Sequence, residues 1–158
     1  MHTIKTIEGE LVPGGANFAI AMSKFNSFIV DRLLDGAVDT LTKHGVQDKD
    51  ISVFKVPGAF ELPLLVQKLI DTGRFDAVIT LGAVIRGGTP HFEYVSGACT
   101  DGVNRVGLDS GIPVAFGVLT VDTIEQAVER SEADDRNKGT EAALTAIEMV
   151  NILGKLEV

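Results

Sequence analysis

Ala77-Val78-Ile79-Thr80-Leu81-Gly82-Ala83-Val84-Ile85 is an apolar run that passes directly into Arg86-Gly87-Gly88-Thr89-Pro90-His91. A short, nearly continuous apolar run bounded by glycine and proline reads as a strand buried on both faces. An amphipathic stretch begins near Phe92, so the unit is strand, glycine turn, helix. Glycines let backbone N–H groups approach a ligand closely, and a helix start turns further N–H groups toward negative charge. Arg86, Thr89 and His91 share this turn, which predicts an anion site beside a titratable group.

Working outward, the same alternation repeats. Phe18 to Met22 is a short apolar run followed by Ser23-Lys24, and from Asn26 the residues Ile29, Leu33, Ala37, Val38 and Leu41 recur at helical spacing. Gly45 is a natural stop. Ile51 to Val56 is strand-like and breaks at Pro57-Gly58. A helix follows from about Glu61 to Asp71, with Pro63 in its first turn and Gly73 at its end. Downstream of the quoted run, Phe92 to about Asp109 places Val95, Cys99, Val103 and Val106 on one helical face. Pro113 to Val118 is a fourth strand. Asp122-Thr123-Ile124-Glu125 offers a capping box for a helix to about Glu132, and after the polar break Asp134–Lys138 a last helix covers about Thr140 to Leu153.

This alternation predicts a three-layer α/β/α domain over residues 1–158 around a four-stranded parallel, flavodoxin-like sheet. The carboxyl ends of its strands share one edge, where open α/β sheets bind ligands. Phe25 and Asn26 follow the first strand, Gly58-Ala59-Phe60-Glu61 the second, Arg86 to His91 the third and Leu119-Thr120 the fourth. Residues 1–12 form an N-terminal arm in which Thr3 to Ile7 alternate as a strand would.

Composition narrows the chemistry. The chain has 158 residues, a net charge of −8 and a single cysteine. An acidic protein is a poor partner for nucleic acid, and one cysteine excludes an internal disulfide. No signal-peptide pattern opens the chain and no run has membrane-spanning length, so the expectation is a cytoplasmic protein.

Gly82 to Thr89 nearly matches the phosphate loop G-x-x-x-x-G-K-[ST], but Gly88 stands where the lysine belongs, which excludes the triphosphate reading. No G-x-G-x-x-G follows a strand. Neither H-x-x-x-H nor C-x-x-C occurs, so no metal is expected. His91 alone among the three histidines stands at the ligand edge, and imidazole can shuttle protons near neutrality without special activation. Phe25 and Phe60 are core residues or a sandwich for a flat heterocycle. Glu61 at a helix start favours the helix dipole. Arg130 and Lys138 lie among Glu129, Glu132, Asp134, Asp135 and Arg136, and on spacing alone they read as a solvated charged face. The residues by themselves reach an enzyme acting on a phosphorylated small molecule.

Several longer motifs go further: Lys24-Phe25-Asn26, Val56-Pro57-Gly58-Ala59-Phe60-Glu61-Leu62-Pro63, Leu81 through Tyr94, Phe116-Gly117-Val118-Leu119-Thr120, Glu125 through Arg130 and Asn137-Lys138-Gly139. In this order they resemble the lumazine synthase family, from Phe18 to Leu153. The resemblance implies a transferase of riboflavin biosynthesis. It would join 5-amino-6-(D-ribitylamino)uracil to L-3,4-dihydroxybutan-2-one 4-phosphate, giving 6,7-dimethyl-8-ribityllumazine with release of phosphate and water, and it implies no metal or organic cofactor.

It implies Phe25 stacked on the pyrimidine ring, Ala59, Phe60 and Glu61 on ribityl chain and ring, and Ala83, Val84 and Ile85 beside the ring. Gly88 and Thr89 would contact phosphate, His91 would transfer protons, and Phe116 would line the pocket. Arg130, with Lys138 nearby, would bind phosphate from an adjacent subunit of a homo-pentamer. The arm would pair with a neighbour's sheet. Association with riboflavin synthase and a sixty-subunit shell are further family traits. Shell-forming members usually carry a kink resembling Ala-Gly-Thr-Lys-Ala-Gly where this chain reads Ser131-Glu132-Ala133-Asp134-Asp135-Arg136, which favours the isolated pentamer. The alternative to an enzyme is a non-catalytic member that binds a flavin or lumazine.

Overall fold

A computed structural model describes residues 2–157; Met1 and Val158, the outermost positions of the expected arm and domain, lie outside the described residues. Four strands form one parallel sheet in the order β2-β1-β3-β4, with β1 Phe18–Ser23, β2 Ile51–Val56, β3 Ala77–Ile85 and β4 Val114–Val121. The helices are α1 Ser27–Lys43, α2 Leu62–Asp71, α3 His91–Ser110, α4 Ile124–Glu129 and α5 Lys138–Leu156. No helix among the described residues is long and apolar enough to cross a membrane.

Side-chain alternation along β1 sorts the core. Phe18, Ile20 and Met22 join Ile79, Leu81, Leu33, Leu41 and Ile147 on the face covered by α1 and α5. Ala19 and Ala21 face the other way, with Val78, Leu62, Val66, Cys99 and Val103 under α2 and α3. Both faces of the sheet are covered, as a parallel sheet requires. Burial pushes the Cys99 thiol up to about 11, so it is a small apolar filler and not a nucleophile.

Register creates the ligand edge. β1 pairs with β3 only as far as Met22 with Leu81, whereas β3 continues along β4 to Ile85 with Val121. Residues 83–85 therefore overshoot β1 and leave one strand edge open. The sheet order reverses between β1 and β3, the place where open α/β sheets hold ligands. β1 turns into α1 through Asn26, the single non-glycine residue of positive φ among those described (φ 62), and its Nδ2 donates to the Ala83 carbonyl at 2.9 Å. Asparagine tolerates this left-handed conformation, and the bond ties the Phe25 turn to the overshooting end of β3.

Several boundaries differ from those the sequence predicts. β4 runs on to Val121, so Leu119 and Thr120 lie within the strand; pairing with the long β3 carries it past the polar threonine. The α4 cap is one residue later than expected. Thr123 Oγ1 accepts from the Gln126 amide and Gln126 Oε1 accepts from the Asp122 amide. α4 ends at Glu129 and not near Glu132, because Asn137 Nδ2 gathers the carbonyls of Ser131, Glu132 and Arg32 while its Oδ1 accepts from the Thr140 amide. That cap starts α5 at Lys138, two residues earlier than expected. In the single chain Thr3 to Ile7 form no strand. The following residues run along α5, with the Glu10 amide on Asn151 Oδ1 and Lys155 Nζ on the Glu8 carbonyl.

Candidate functional site

Over the β1/β3 edge lies an apolar pocket of about 710 Å³. Phe25 enters from the β1 turn, Gly58 to Glu61 from the short 3-10 turn after β2, Ala83 to Ile85 from the open edge of β3, and Gly87, Thr89 and His91 from the turn into α3. Phe25 and Phe60 are 73% and 61% exposed. They are therefore not core residues: two large apolar rings stand in solvent in the lining of one pocket, where a flat ligand would cover them. Alternation along β3 sends the Arg86 amide to Val121 of β4, so the backbone groups of Ile85 turn to the pocket side.

α3 begins at His91 with no side chain capping it. Gly87 and Gly88 have ordinary negative φ, and a Cβ at either would meet nothing within 4 Å. The turn does not require glycine; what the pair provides is bare backbone. Gly88 opens onto a shallow groove with Arg86, Thr89, Pro90, Glu93 and Tyr94 and not onto the main pocket.

Arg86 departs from its expected part. Its Nε donates to Asp122 at 2.8 Å, its Nη1 is paired with Glu93, and the guanidinium lies 4.4 Å from the centre of the Phe92 ring. Its hydrogen bonds to Asp122 and then to Glu93 raise its pKa further, and the bond that Glu93 accepts from Arg86 lowers that of Glu93. With two carboxylates on it, Arg86 supplies no free charge for an anion. It fastens the first turn of α3 to the ends of β3 and β4, which sets the position of His91.

The charge lies elsewhere. A second recess of about 460 Å³ is lined by Phe116, Thr120, Glu129, Arg130, Arg136, Lys138 and Glu141 among others, and it shares no lining residue with the first. Arg130 and Lys138 meet there because the Lys138 amide donates to the Arg130 carbonyl at 2.9 Å, closing the intervening loop. Lys138 Nζ sits 2.9 Å from Glu141, and Arg130 Nη1 bonds the Gln126 carbonyl. Phe116 belongs to this recess. Among the described residues no group of three or more His, Cys, Asp or Glu side chains is arranged to hold a metal ion.

The candidate residues thus fall into two separate half-sites, one aromatic with a histidine and one cationic. Sequence reasoning missed Asn26 as the tie to β3, Tyr94 at the pocket margin and Arg136 in the recess. An asparagine in the turn after a strand end was the one available signal, through its tolerance of positive φ. In comparison with known families, the family model described as 6,7-dimethyl-8-ribityllumazine synthase matches residues 15–154.

Proposed function

The chain belongs to the 6,7-dimethyl-8-ribityllumazine synthase family, and from that premise we propose that it condenses 5-amino-6-(D-ribitylamino)uracil with L-3,4-dihydroxybutan-2-one 4-phosphate. The family serves riboflavin biosynthesis with transferase-type enzymes that act on small molecules and assemble into oligomers. The observation that carries the reading is the pocket in which exposed Phe25 and Phe60 face the open edge of β3 beside His91.

Phe25 stacks on the uracil ring, and the edge of β3 at Ala83, Val84 and Ile85 meets the ring's amide groups, since a uracil offers donors and acceptors in one plane. Ala59, Phe60 and Glu61 hold the ribityl chain. Bare backbone at Gly88, with Thr89, meets one side of the phosphate, and Arg130 with Lys138 of a neighbouring subunit meets the other. Phe116 lines that neighbour's face.

The 5-amino group attacks the ketone carbon and water leaves, giving an imine. His91 accepts a proton from the adjacent carbon as the C–O bond to phosphate breaks; the resulting enol becomes a ketone. The ribitylamino nitrogen closes on that carbonyl, and a second water leaves. Each step is feasible once the partners are oriented, so proximity supplies most of the acceleration. His91→Ala is therefore expected to lower kcat about tenfold to a hundredfold, at or below the low end of what general acid–base catalysis contributes, with both KM values little changed. Loss of all turnover would give His91 a heavier role.

The direct test is incubation with both substrates, following the fluorescent product and released phosphate. A binding-only member would retain the ligand and release no phosphate. Assembly is the other part of the proposal: a homo-pentamer, its N-terminal arm pairing with a neighbour's sheet. Residues 131–136 contain no glycine and form an acidic turn held by Asn137, so sedimentation should show about 84 kDa, five chains of 16.8 kDa. A particle of about a million daltons would show instead that this turn permits the shell.

A further inference from the structure

Arg130 and Lys138 are not alone in the cationic recess, because Arg136 lines it too. The family resemblance assigns this residue no role, and the glycine-rich kink of shell-forming members has glycine at its place. Arg136 uses one edge of its guanidinium on Asp134, with Nη2 2.8 Å from Oδ2 and Nε 3.3 and 3.2 Å from Oδ1 and Oδ2. This bond holds the Asp134 carboxyl below its usual range. Nη1 makes no hydrogen bond among the described residues. Its nearest acid is Glu129, whose Oε1 is 3.8 Å away, and Oε2 of that same carboxylate lies 3.9 Å from Nη1 of Arg130.

One carboxylate therefore stands between two guanidiniums, beyond hydrogen-bond distance from either. All three side chains are about half exposed, where such contacts contribute little. A phosphate monoester brings nearly two charges and three acceptor oxygens, and guanidinium donors match tetrahedral oxyanions in a fork. Such an anion outcompetes a distant monovalent carboxylate. We infer that Arg136 is a second guanidinium for the substrate's phosphate. It grips the anion together with Arg130 where Glu129 now stands, and Glu129 turns to solvent as the anion enters.

This rests on the proposed reading of the recess as the phosphate half-site and adds a residue to it. Asp134 anchors Arg136 through Nε and Nη2, which leaves Nη1 without a hydrogen bond among the described residues, 3.8 Å from Glu129 at the recess wall. A residue serving only to shape the loop would have no effect on anion affinity once the loop is intact.

The test uses the assembled protein and inorganic phosphate, with binding read by titration calorimetry and by inhibition of turnover. Arg136→Gln should weaken phosphate about tenfold, the loss of one charged hydrogen bond, and raise KM for the ketone phosphate in parallel. KM for the uracil amine should stay unchanged, and Arg136→Lys should recover part of the affinity. Glu129→Gln should tighten phosphate severalfold, and that gain should shrink in the Arg136→Gln background. Unchanged phosphate affinity in Arg136→Gln overturns the inference, as does an equal loss for both substrates, which would mean general collapse of the loop. Calorimetry needs no turnover. An Arg136 effect without any reaction of wild type would sink the proposed reaction and leave the anion site standing.

Discussion

Arg130→Ala is expected to lower kcat/KM for the phosphorylated ketone about a hundredfold, with most of the loss in KM. The recess gathers Arg130, Arg136 and Lys138 against Glu129 and Glu141, and a charged hydrogen bond to a partly dehydrated phosphate contributes up to about 3 kcal/mol, or two decades. The uracil amine should bind as in wild type, because its pocket shares no lining residue with the recess. Folding should also be unaffected: Arg130 is half exposed, and among the described residues its side chain bonds only the Gln126 carbonyl, with the Glu129 carboxylate 3.9 Å away. Arg130→Lys should recover only part, since an ammonium keeps the charge but loses the planar fork.

The same variant tests whether the two half-sites come from different subunits. Phe25→Asp should abolish stacking in the aromatic half-site while leaving the recess intact. If each site combines the pocket of one subunit with the recess of another, random mixed oligomers of the two variants regain about a quarter of their sites with both halves native. Activity of the mixture no higher than the sum of the separate variants would mean that pocket and recess act within one chain, or do not act together.

The architecture was legible where burial leaves one reading. Ala77 to Ile85 is buried at every position but the last, so its apolar run had no competing pattern, whereas its overshoot past β1 depends on the register between strands. Phe25, Phe60 and His91 were legible as edge residues because strand ends are easy to find and parallel topology aligns them. What failed was everything decided by distant partners. The charge of Arg86 pointed to an anion until Glu93 and Asp122, on two other elements, closed on it. Arg130 and Lys138 read as a solvated face because their meeting depends on the side chain of Asn137, which collects carbonyls from α1 and from the loop. No spacing rule encodes a bond between a side-chain amide and a carbonyl within another helix.

That junction also sets the largest expected loss of stability, in Gly139→Ala. Gly139 lies in the first turn of α5 where it crosses α1, and an added Cβ would stand 2.0 Å from the Leu33 carbonyl oxygen and 2.7 Å from its carbon. Both are backbone atoms in the middle of a helix, so they cannot move aside as a flexible side chain would. Alanine gains about 1 kcal/mol of helix propensity over glycine, whereas forcing atoms into a packed contact costs up to about 3 kcal/mol and sometimes more. The steric term wins, and the net loss of about 2 kcal/mol should lower the melting temperature by about 4–8 °C at fixed protein concentration. Gly154→Ala, later in the same helix with nothing within 4 Å of its Cβ, supplies the control and should be neutral or slightly stabilising. Equal melting temperatures for the two variants would remove the close approach from the account. The effect should extend to function, because the helix turn that Gly139 seats against α1 carries Lys138 and the Asn137 cap. Pushing α5 off α1 moves Lys138 away from Arg130, so Gly139→Ala should weaken phosphate while leaving the uracil pocket intact.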